Sequence, residues 1–216
     1  MKLLFALTLL LSLALYFSGV WAEDDNEQCL EWAQEGECTA NPGYMLEHCA
    51  DACNQVKNDE EPLPASFYEI VDHDLDGKEI NFSEFREKVV YIVNVASHCG
   101  YTKENYDTFR KLAKYRKQGL ELVLAPCNQF GQQEPGDKVA ISNFAAKNDF
   151  EGIILAKNDV NGANARAAFR YLKNASGVPN IAWNFDGKFL VSKKGNVFHV
   201  HDNKDLEGMI KELLSE

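Results

Sequence analysis

The sequence predicts an α/β protein in two unequal parts, and three observations lead to that prediction. Residues 89–95 form a nearly continuous apolar, β-branched run, as expected for a buried central strand. Residues 103–118 then repeat apolar side chains at helical spacing, and a second apolar run follows at 120–125. Ahead of this strand–helix–strand pattern lies a short segment, 23–57, that holds four closely spaced cysteines.

The first 22 residues differ in composition from the rest of the chain. Lys2 precedes an apolar run over 3–17, the segment ends in the small residue Ala22, and the next charge is Glu23. This pattern predicts a secretory signal peptide over 1–22 and a secreted, extracellular protein. An uncleaved membrane anchor is the alternative, but the run is short for a bilayer span. No second apolar stretch of the sequence approaches membrane length, so no transmembrane segment is expected.

Charge divides the remaining chain. The 216 residues carry a net charge of -11, which argues against a nucleic-acid partner because phosphate binding needs clustered Lys and Arg. Residues 23–61 hold 12 acidic residues against the single basic Lys57, whereas 62–216 are nearly balanced, with 21 acidic and 20 basic residues. We therefore predict a cysteine-rich module over 23–57, a charged, proline-bearing linker over 58–63, and a larger domain over 64–216.

The module is too short to build an adequate hydrophobic core, so disulfides are expected to hold it together. In an oxidising compartment its four cysteines allow three pairings, and their spacing alone does not select one. Glycosylation motifs begin at Asn81 and Asn174, and the sequence leaves their occupancy open.

The larger domain alternates predicted strands and helices along its whole length. Residues 67–71 are read as a strand, and Asp76-Gly77 as a hairpin turn rather than the start of a calcium loop, because the later ligand positions of such a loop are out of register. Further helices are predicted at 137–147, 163–174 and 206–214, with strands near 189–191 and 197–200 separated by a turn at 194–196. This order of elements is that of an α/β sandwich of thioredoxin type.

Cys99 follows the predicted central strand and precedes a helix. A sulfur at such a junction lies near unpaired backbone N–H groups and the positive end of the helix dipole, which favour the nucleophilic thiolate. A free cysteine is also one of the commonest buried residues, so position alone leaves a reactive and a structural role open.

Three ordered motifs resemble those of glutathione peroxidases: NVASHCGYT at 94–102, PCNQFGQQEPG at 126–136, and WNF at 183–185. The resemblance covers residues 64–216. It implies a catalytic tetrad of Cys99, Gln133, Trp183 and Asn184. It also implies a reaction in which a peroxide oxidises Cys99 to a sulfenic acid and an external thiol such as glutathione restores it, without a prosthetic cofactor.

Departures from the family pattern refine this expectation. Thioredoxin-dependent members carry a resolving cysteine in a Phe-Ala-Cys segment, where this chain has Phe144-Ala145-Ala146, so recycling by glutathione is the simpler prediction. The stretch 176–183 lacks the longer loop of tetrameric members, which implies a monomer whose open site admits lipid hydroperoxides as well as hydrogen peroxide.

Cys127 is assigned a structural role. No metal site is expected at His199 and His201, since no third ligand is evident.

The module resembles the ShK-toxin-like (ShKT) family through its cysteine, tryptophan and tyrosine spacing. That family pairs its six cysteines first to sixth, second to fourth and third to fifth, and this chain lacks matches to the first and sixth. The resemblance implies the pairs Cys29–Cys49 and Cys38–Cys53. Between Cys38 and Cys49 there is no Lys or Arg for channel block, so an accessory role toward an unknown ligand is expected.

Two other functions compete with a secreted thiol peroxidase. One is a non-catalytic secreted binding protein that acts through its ShKT-like module, with the larger domain as a carrier. The other is a thiol–disulfide oxidoreductase, against which the absence of a Cys-x-x-Cys motif argues.

Overall fold

The computed structural model describes residues 24–59 and 62–216. The predicted signal peptide and two residues of the predicted linker, 60 and 61, lie outside the described residues. The first part is helical, with α1 (Cys29–Glu35), α2 (Glu37–Ala40), α3 (Pro42–His48) and α4 (Ala50–Asp59). Within the described residues none of the helices is both long and apolar enough to cross a membrane.

Two disulfides hold the helical module together. They join Cys29 to Cys49 and Cys38 to Cys53, the pairing implied by the ShKT resemblance. The module's small core gathers these sulfurs around the buried Met45. With so little apolar surface to bury, the cross-links supply much of the module's stability by constraining its unfolded state.

The second part contains a small hairpin and a five-stranded sheet. The hairpin pairs β1 (Val71–His73) with β2 (Glu79–Asn81) in antiparallel fashion, which confirms the turn predicted at Asp76-Gly77. The remaining elements, in chain order, are β3 (Val89–Val95), α5 (Thr102–Leu112), β4 (Leu120–Pro126), α6 (Lys138–Lys147), β5 (Ile153–Ile154), α7 (Ala167–Ser176), β6 (Lys188–Val191), β7 (Val197–His199) and α8 (Leu206–Ser215).

The strands of the larger sheet lie in the order β5-β4-β3-β6-β7. Strand β3 occupies the centre, parallel to β4 and antiparallel to β6, and every one of its residues is buried. Because alternate side chains of a strand point to opposite faces, β3 contributes to two cores. Tyr91 lies in one with α5 and α8, and Ile92 lies in the other with α7 and the segment before β1. The sheet is therefore covered on both faces, and the predicted α/β sandwich of thioredoxin type is confirmed.

Three local predictions differ from the structure. The predicted strand over 67–71 is wrong for most of its length, because Phe67–Glu69 is a 3-10 helix and the strand begins only at Val71. Phe67 and Tyr68 both pack into the core that contains Ile92, whereas consecutive residues of a strand would point to opposite faces of the sheet. The predicted helix over 103–118 is α-helical to Leu112 and continues as a 3-10 turn over Ala113–Gln118.

The third difference concerns α7, which begins at Ala167 instead of residue 163. The four residues before it are held in a loop that starts at Gly162, whose φ of 78° is left-handed. In this loop the Ala163 N–H donates to the Gln34 carbonyl of the module at 2.9 Å. Long-range contacts of this kind override the local helical pattern.

Candidate active site

Cys99 lies in the turn that joins the end of β3 to the start of α5. The Thr102 hydroxyl donates to the Ala96 carbonyl at 2.6 Å, and the Thr102 N–H donates to the Cys99 carbonyl at 3.1 Å. Thr102 therefore ties the start of α5 to the end of β3 and to Cys99 itself. Cys99 is a free thiol and 8% exposed. The structure thus places the predicted nucleophile at the rim of the core, at the amino end of a helix.

Gln133 lies in the loop after β4 and connects this turn to the third motif. Its carbonyl accepts a hydrogen bond from the His98 N–H at 3.0 Å, one residue before Cys99. Its side-chain Oε1 accepts a hydrogen bond from Asn184 Nδ2 at 2.9 Å. The backbone and side chain of one residue therefore join the chain around Cys99 to the segment that carries Asn184.

Trp183 and Asn184 precede β6 and face different environments. Asn184 is buried, and its Nδ2 also donates to the Phe130 carbonyl at 3.2 Å. Trp183 is 41% exposed, with its ring centroid 6.1 Å from that of Phe130. The four residues of the predicted tetrad are therefore brought to one end of the sheet, where the buried Asn184 and the partly buried Gln133 lie near the exposed indole of Trp183.

Asn94 is a residue of this site whose role motif matching did not identify. It is fully buried in β3, where its Oδ1 accepts from the Gly187 N–H at 2.7 Å and its Nδ2 donates to the Trp183 carbonyl at 3.0 Å. Its own carbonyl accepts from the Phe185 N–H at 2.9 Å. Asn94 thus anchors both ends of the segment that holds Trp183 and Asn184. An amide in the middle of an otherwise apolar strand was the sequence signal that could have revealed it.

A second overlooked pair is Ser97 and Glu134. The Ser97 hydroxyl donates to the buried Glu134 carboxyl at 2.6 Å, and the Glu134 N–H donates to Asn128 Oδ1 at 2.9 Å. Burial raises the pKa of Glu134, while the Ser97 hydrogen bond and the nearby Lys157 act in the opposite direction. The pair ties the turn before Cys99 to the residue after Gln133, and so restricts the movement of one relative to the other.

The remaining candidate residues of the sequence analysis take no part in the tetrad or its hydrogen bonds. Cys127 is fully buried, and burial raises the pKa of its thiol, so the neutral, unreactive form is favoured. Ala146 stands on α6, where the resembling family can carry its resolving cysteine. His199 lies within hydrogen-bonding distance, 3.0 Å, of the Asp186 carbonyl through Nε2. Among the described residues no three His, Cys, Asp or Glu side chains gather closely enough to hold a metal ion.

The fold and the site together define a class of protein. The central β-strand lies in a sheet covered on both faces, and a free, nearly buried cysteine lies in the turn between this strand and a helix. This is the arrangement of a thioredoxin-like thiol oxidoreductase.

Comparison with known proteins shows which family of thioredoxin-like thiol oxidoreductases the chain resembles. The family model described as glutathione peroxidase matches residues 67–173, and the one described as ShK domain-like matches residues 23–55. Glutathione peroxidase 1 of Caenorhabditis elegans is 40% identical over 161 residues, which are 70% of this chain and 98% of the relative. A probable phospholipid hydroperoxide glutathione peroxidase of Mesembryanthemum crystallinum is 44% identical over 141 residues, 62% of this chain and 81% of the relative.

Solved structures agree with this result. The crystal structure of T. cruzi GPX1 superposes with a TM-score of 0.56 at 32% identity, covering 69% of this chain and 97% of that one. The apo crystal structure of Trgpx gives the same TM-score at 26% identity, covering 70% and 97%. The chain belongs to the glutathione peroxidase family, a family of peroxidases that use a thiol such as glutathione as co-substrate and no prosthetic cofactor. It carries an ShK-like domain ahead of the peroxidase domain.

Proposed function

We propose that this chain is a secreted thiol peroxidase that reduces hydrogen peroxide and organic or lipid hydroperoxides through a sulfenic acid on Cys99. The observation that carries the proposal is the free, nearly buried Cys99 in a turn that is hydrogen-bonded to the backbone carbonyl of Gln133, whose side-chain amide accepts a hydrogen bond from Asn184. A neutral amide donor such as Gln133 Nε2 stabilises the charge of a nearby thiolate without protonating it permanently.

The reaction is a displacement at oxygen followed by two thiol exchanges. The Cys99 thiolate attacks one peroxide oxygen, the O–O bond breaks, and the leaving oxygen takes a proton to depart as water or an alcohol. A first external thiol condenses with the sulfenic acid to form a mixed disulfide and water. A second thiol attacks that disulfide, releases the oxidised reductant, and returns Cys99 to its thiolate form.

The other members of the tetrad act on the first step. Asn184 Nδ2 donates to Gln133 Oε1 and to the Phe130 carbonyl, so Asn184 orients the Gln133 amide, with its Nε2 as the donor, before substrate arrives. Trp183, exposed at the rim, is assigned to present its indole N–H toward the reacting oxygens. These roles come from the family resemblance, and the placement of all four residues at one end of the sheet supports them.

The choice of reductant follows from the cysteines. All six lie within the described residues, and four of them are in disulfides. Cys127 is fully buried, and position 146 on α6 holds alanine. An external thiol such as glutathione is therefore expected to attack the Cys99 sulfenic acid directly. The protein is proposed to be a monomer, and its open site is proposed to accept bulky lipid hydroperoxides as well.

We expect glutathione with glutathione reductase to support faster peroxide turnover than thioredoxin with thioredoxin reductase. Both are measured as NADPH oxidation by the same protein preparation. Ala146→Cys supplies a matched comparison, because it adds a thiol at the position of the family's resolving cysteine and is expected to raise only the thioredoxin-supported rate. Faster turnover of the unmodified protein with thioredoxin than with glutathione would contradict the assignment.

Secretion is the remaining part of the proposal. The signal-peptide pattern over 1–22 and two disulfides in the following module support it, since disulfides persist in oxidising compartments. Expression in a eukaryotic cell is expected to deliver the protein to the medium with Glu23 as its first residue, as read by mass spectrometry of the amino-terminal peptide. Retention in the cell with residues 1–22 attached would refute it.

A further inference from the structure

The ShK-like module carries a cavity that the peroxidase reaction does not use. It has a volume of about 370 Å³ and opens between α1 and α3. Trp32 and Tyr44 form two of its walls, with ring centroids 6.0 Å apart and ring planes inclined at 71°. The other lining residues are Glu35, Glu37, Asn41 and Met45.

The aromatic walls are accessible rather than packed away. Tyr44 is 40% exposed and Trp32 is half-buried, although the module has few apolar side chains with which to build its core. Tyr44 is backed by His48, with ring centroids 4.6 Å apart, and Asp25 accepts a hydrogen bond from that imidazole at 2.8 Å. The ring is thus held in place from behind while its other side faces the cavity.

The cavity lies in a strongly negative environment. Glu35 and Glu37 line it, and neither takes part in an ion pair within the described chain. Lys57 is the single basic residue between positions 23 and 61, against 12 acidic ones. Anionic ligands are therefore repelled, and cations are attracted toward the opening.

We propose that this cavity binds a quaternary ammonium group of the choline type. Such a cation carries its charge on a bulky, weakly hydrated, largely apolar surface. It is attracted to the faces of Trp and Tyr by their ring quadrupoles and to nearby carboxylates by charge. A neutral apolar ligand would leave the carboxylates without a counter-charge. The same chemical group occurs in free choline and in the headgroup of phosphatidylcholine.

The site is held in place relative to the peroxidase domain. Gln34 and Gly36, between the cavity residues along the chain, accept hydrogen bonds from the Ala163 N–H at 2.9 Å and from Asn180 Nδ2 at 3.3 Å. A Cβ at Gly162 would lie 2.2 Å from the Gln34 carbonyl oxygen, so the two surfaces meet without room for a side chain. The module therefore docks by this edge and leaves the aromatic cavity open, so that a ligand bound there is held on the enzyme.

The test compares choline with dimethylbutanol, its neutral carbon analogue, on the full chain. Titration is followed by NMR of the Trp32 indole N–H and by calorimetry at constant ionic strength. We expect choline to bind saturably and at least about ten-fold more tightly than the neutral analogue, because only the cation gains the ring and carboxylate attraction. Equal binding of the two, or binding of neither, would overturn the proposal.

Variants locate the site. Trp32→Leu and the double variant of Glu35→Gln with Glu37→Gln are expected to lose choline binding by about ten-fold or more. The double variant of Glu27→Gln with Glu31→Gln removes the same number of charges at exposed positions outside the cavity and is expected to retain binding. Peroxide turnover checks that the peroxidase domain of each variant is folded, and peptide mapping of the two disulfides checks the module. Equal loss of binding in the variant of Glu27→Gln with Glu31→Gln would attribute the effect to overall charge and reject the cavity.

Vesicles separate the two sources of the ligand. Retention on phosphatidylcholine vesicles but not on phosphatidylglycerol vesicles, abolished by Trp32→Leu, would assign the lipid headgroup as the ligand. Binding of free choline without retention on vesicles would assign the soluble cation. Both results support the cavity as an ammonium site, and retention on phosphatidylglycerol alone rejects it.

Discussion

Replacing Cys99 with serine is expected to reduce peroxide turnover by about a thousand-fold or more. The serine hydroxyl has a far higher pKa than a thiol and does not form a stable product equivalent to a sulfenic acid, so the displacement at oxygen loses its nucleophile. A thousand-fold loss corresponds to about 4 kcal/mol of transition-state stabilisation. The measurement is peroxide consumption by the purified chain with glutathione, together with mass spectrometry of Cys99 after trapping by a sulfenic-acid reagent.

The control for this variant is Cys127→Ala. Cys127 is the other free cysteine, fully buried within the second motif. Its replacement is expected to lower the free energy of unfolding by about 1 kcal/mol through the lost packing, while most of the activity remains. Cys99→Ser changes a single atom and is expected to keep the fold, as checked by circular dichroism. Wild-type turnover in a folded Cys99→Ser protein would disprove the assignment of the reactive sulfur.

The sheet could be predicted from the sequence because its central elements are marked by local patterns. The apolar run of β3 is buried along its whole length, and the second apolar run became β4. Predictions were less accurate where distant residues decide the conformation. The loop before α7 departs from its helical pattern because Ala163 bonds to the module, and the two-residue strand β5 is too short to leave a periodic pattern.

In the candidate site, too, local motifs could be predicted from the sequence and contacts between distant residues could not. The four tetrad positions could be assigned because each lies in a short motif of the family that the chain resembles. The contacts that support them could not be assigned, since they join segments far apart in the chain. Glu134 meets Ser97 across 37 positions, and Asn94 meets Gly187 across 93. Motif matching identifies residue types in order along the chain, whereas these hydrogen bonds depend on where β3 and β6 lie in the folded sheet.

The importance of such contacts can be tested with Asn94→Ala. The variant leaves the buried Gly187 N–H without its partner, which costs about 1–3 kcal/mol. It also removes one of the two hydrogen bonds to the Trp183 carbonyl, which still accepts from the Asp186 N–H, and a lost hydrogen bond costs about 0.5–1.5 kcal/mol. The free energy of unfolding is therefore expected to fall by about 2–5 kcal/mol. Turnover per folded molecule is also expected to fall by about ten-fold or more, because a displacement of Trp183 and Asn184 of even about 1 Å misaligns the donors.

Ile92→Ala separates the positioning role of Asn94 from its contribution to stability. Ile92 lies on the same strand and is fully buried in the core with Phe169, so its truncation is expected to cost a similar 2–5 kcal/mol. It bonds to neither Trp183 nor Gly187 through its side chain, and turnover per folded molecule is expected to stay near that of the unmodified protein. Urea titration gives the folded fraction, and peroxide kinetics at low temperature give the turnover. If Asn94→Ala, corrected for its folded fraction, is as active as Ile92→Ala, Asn94 contributes stability alone and does not position the Trp183–Asn184 segment.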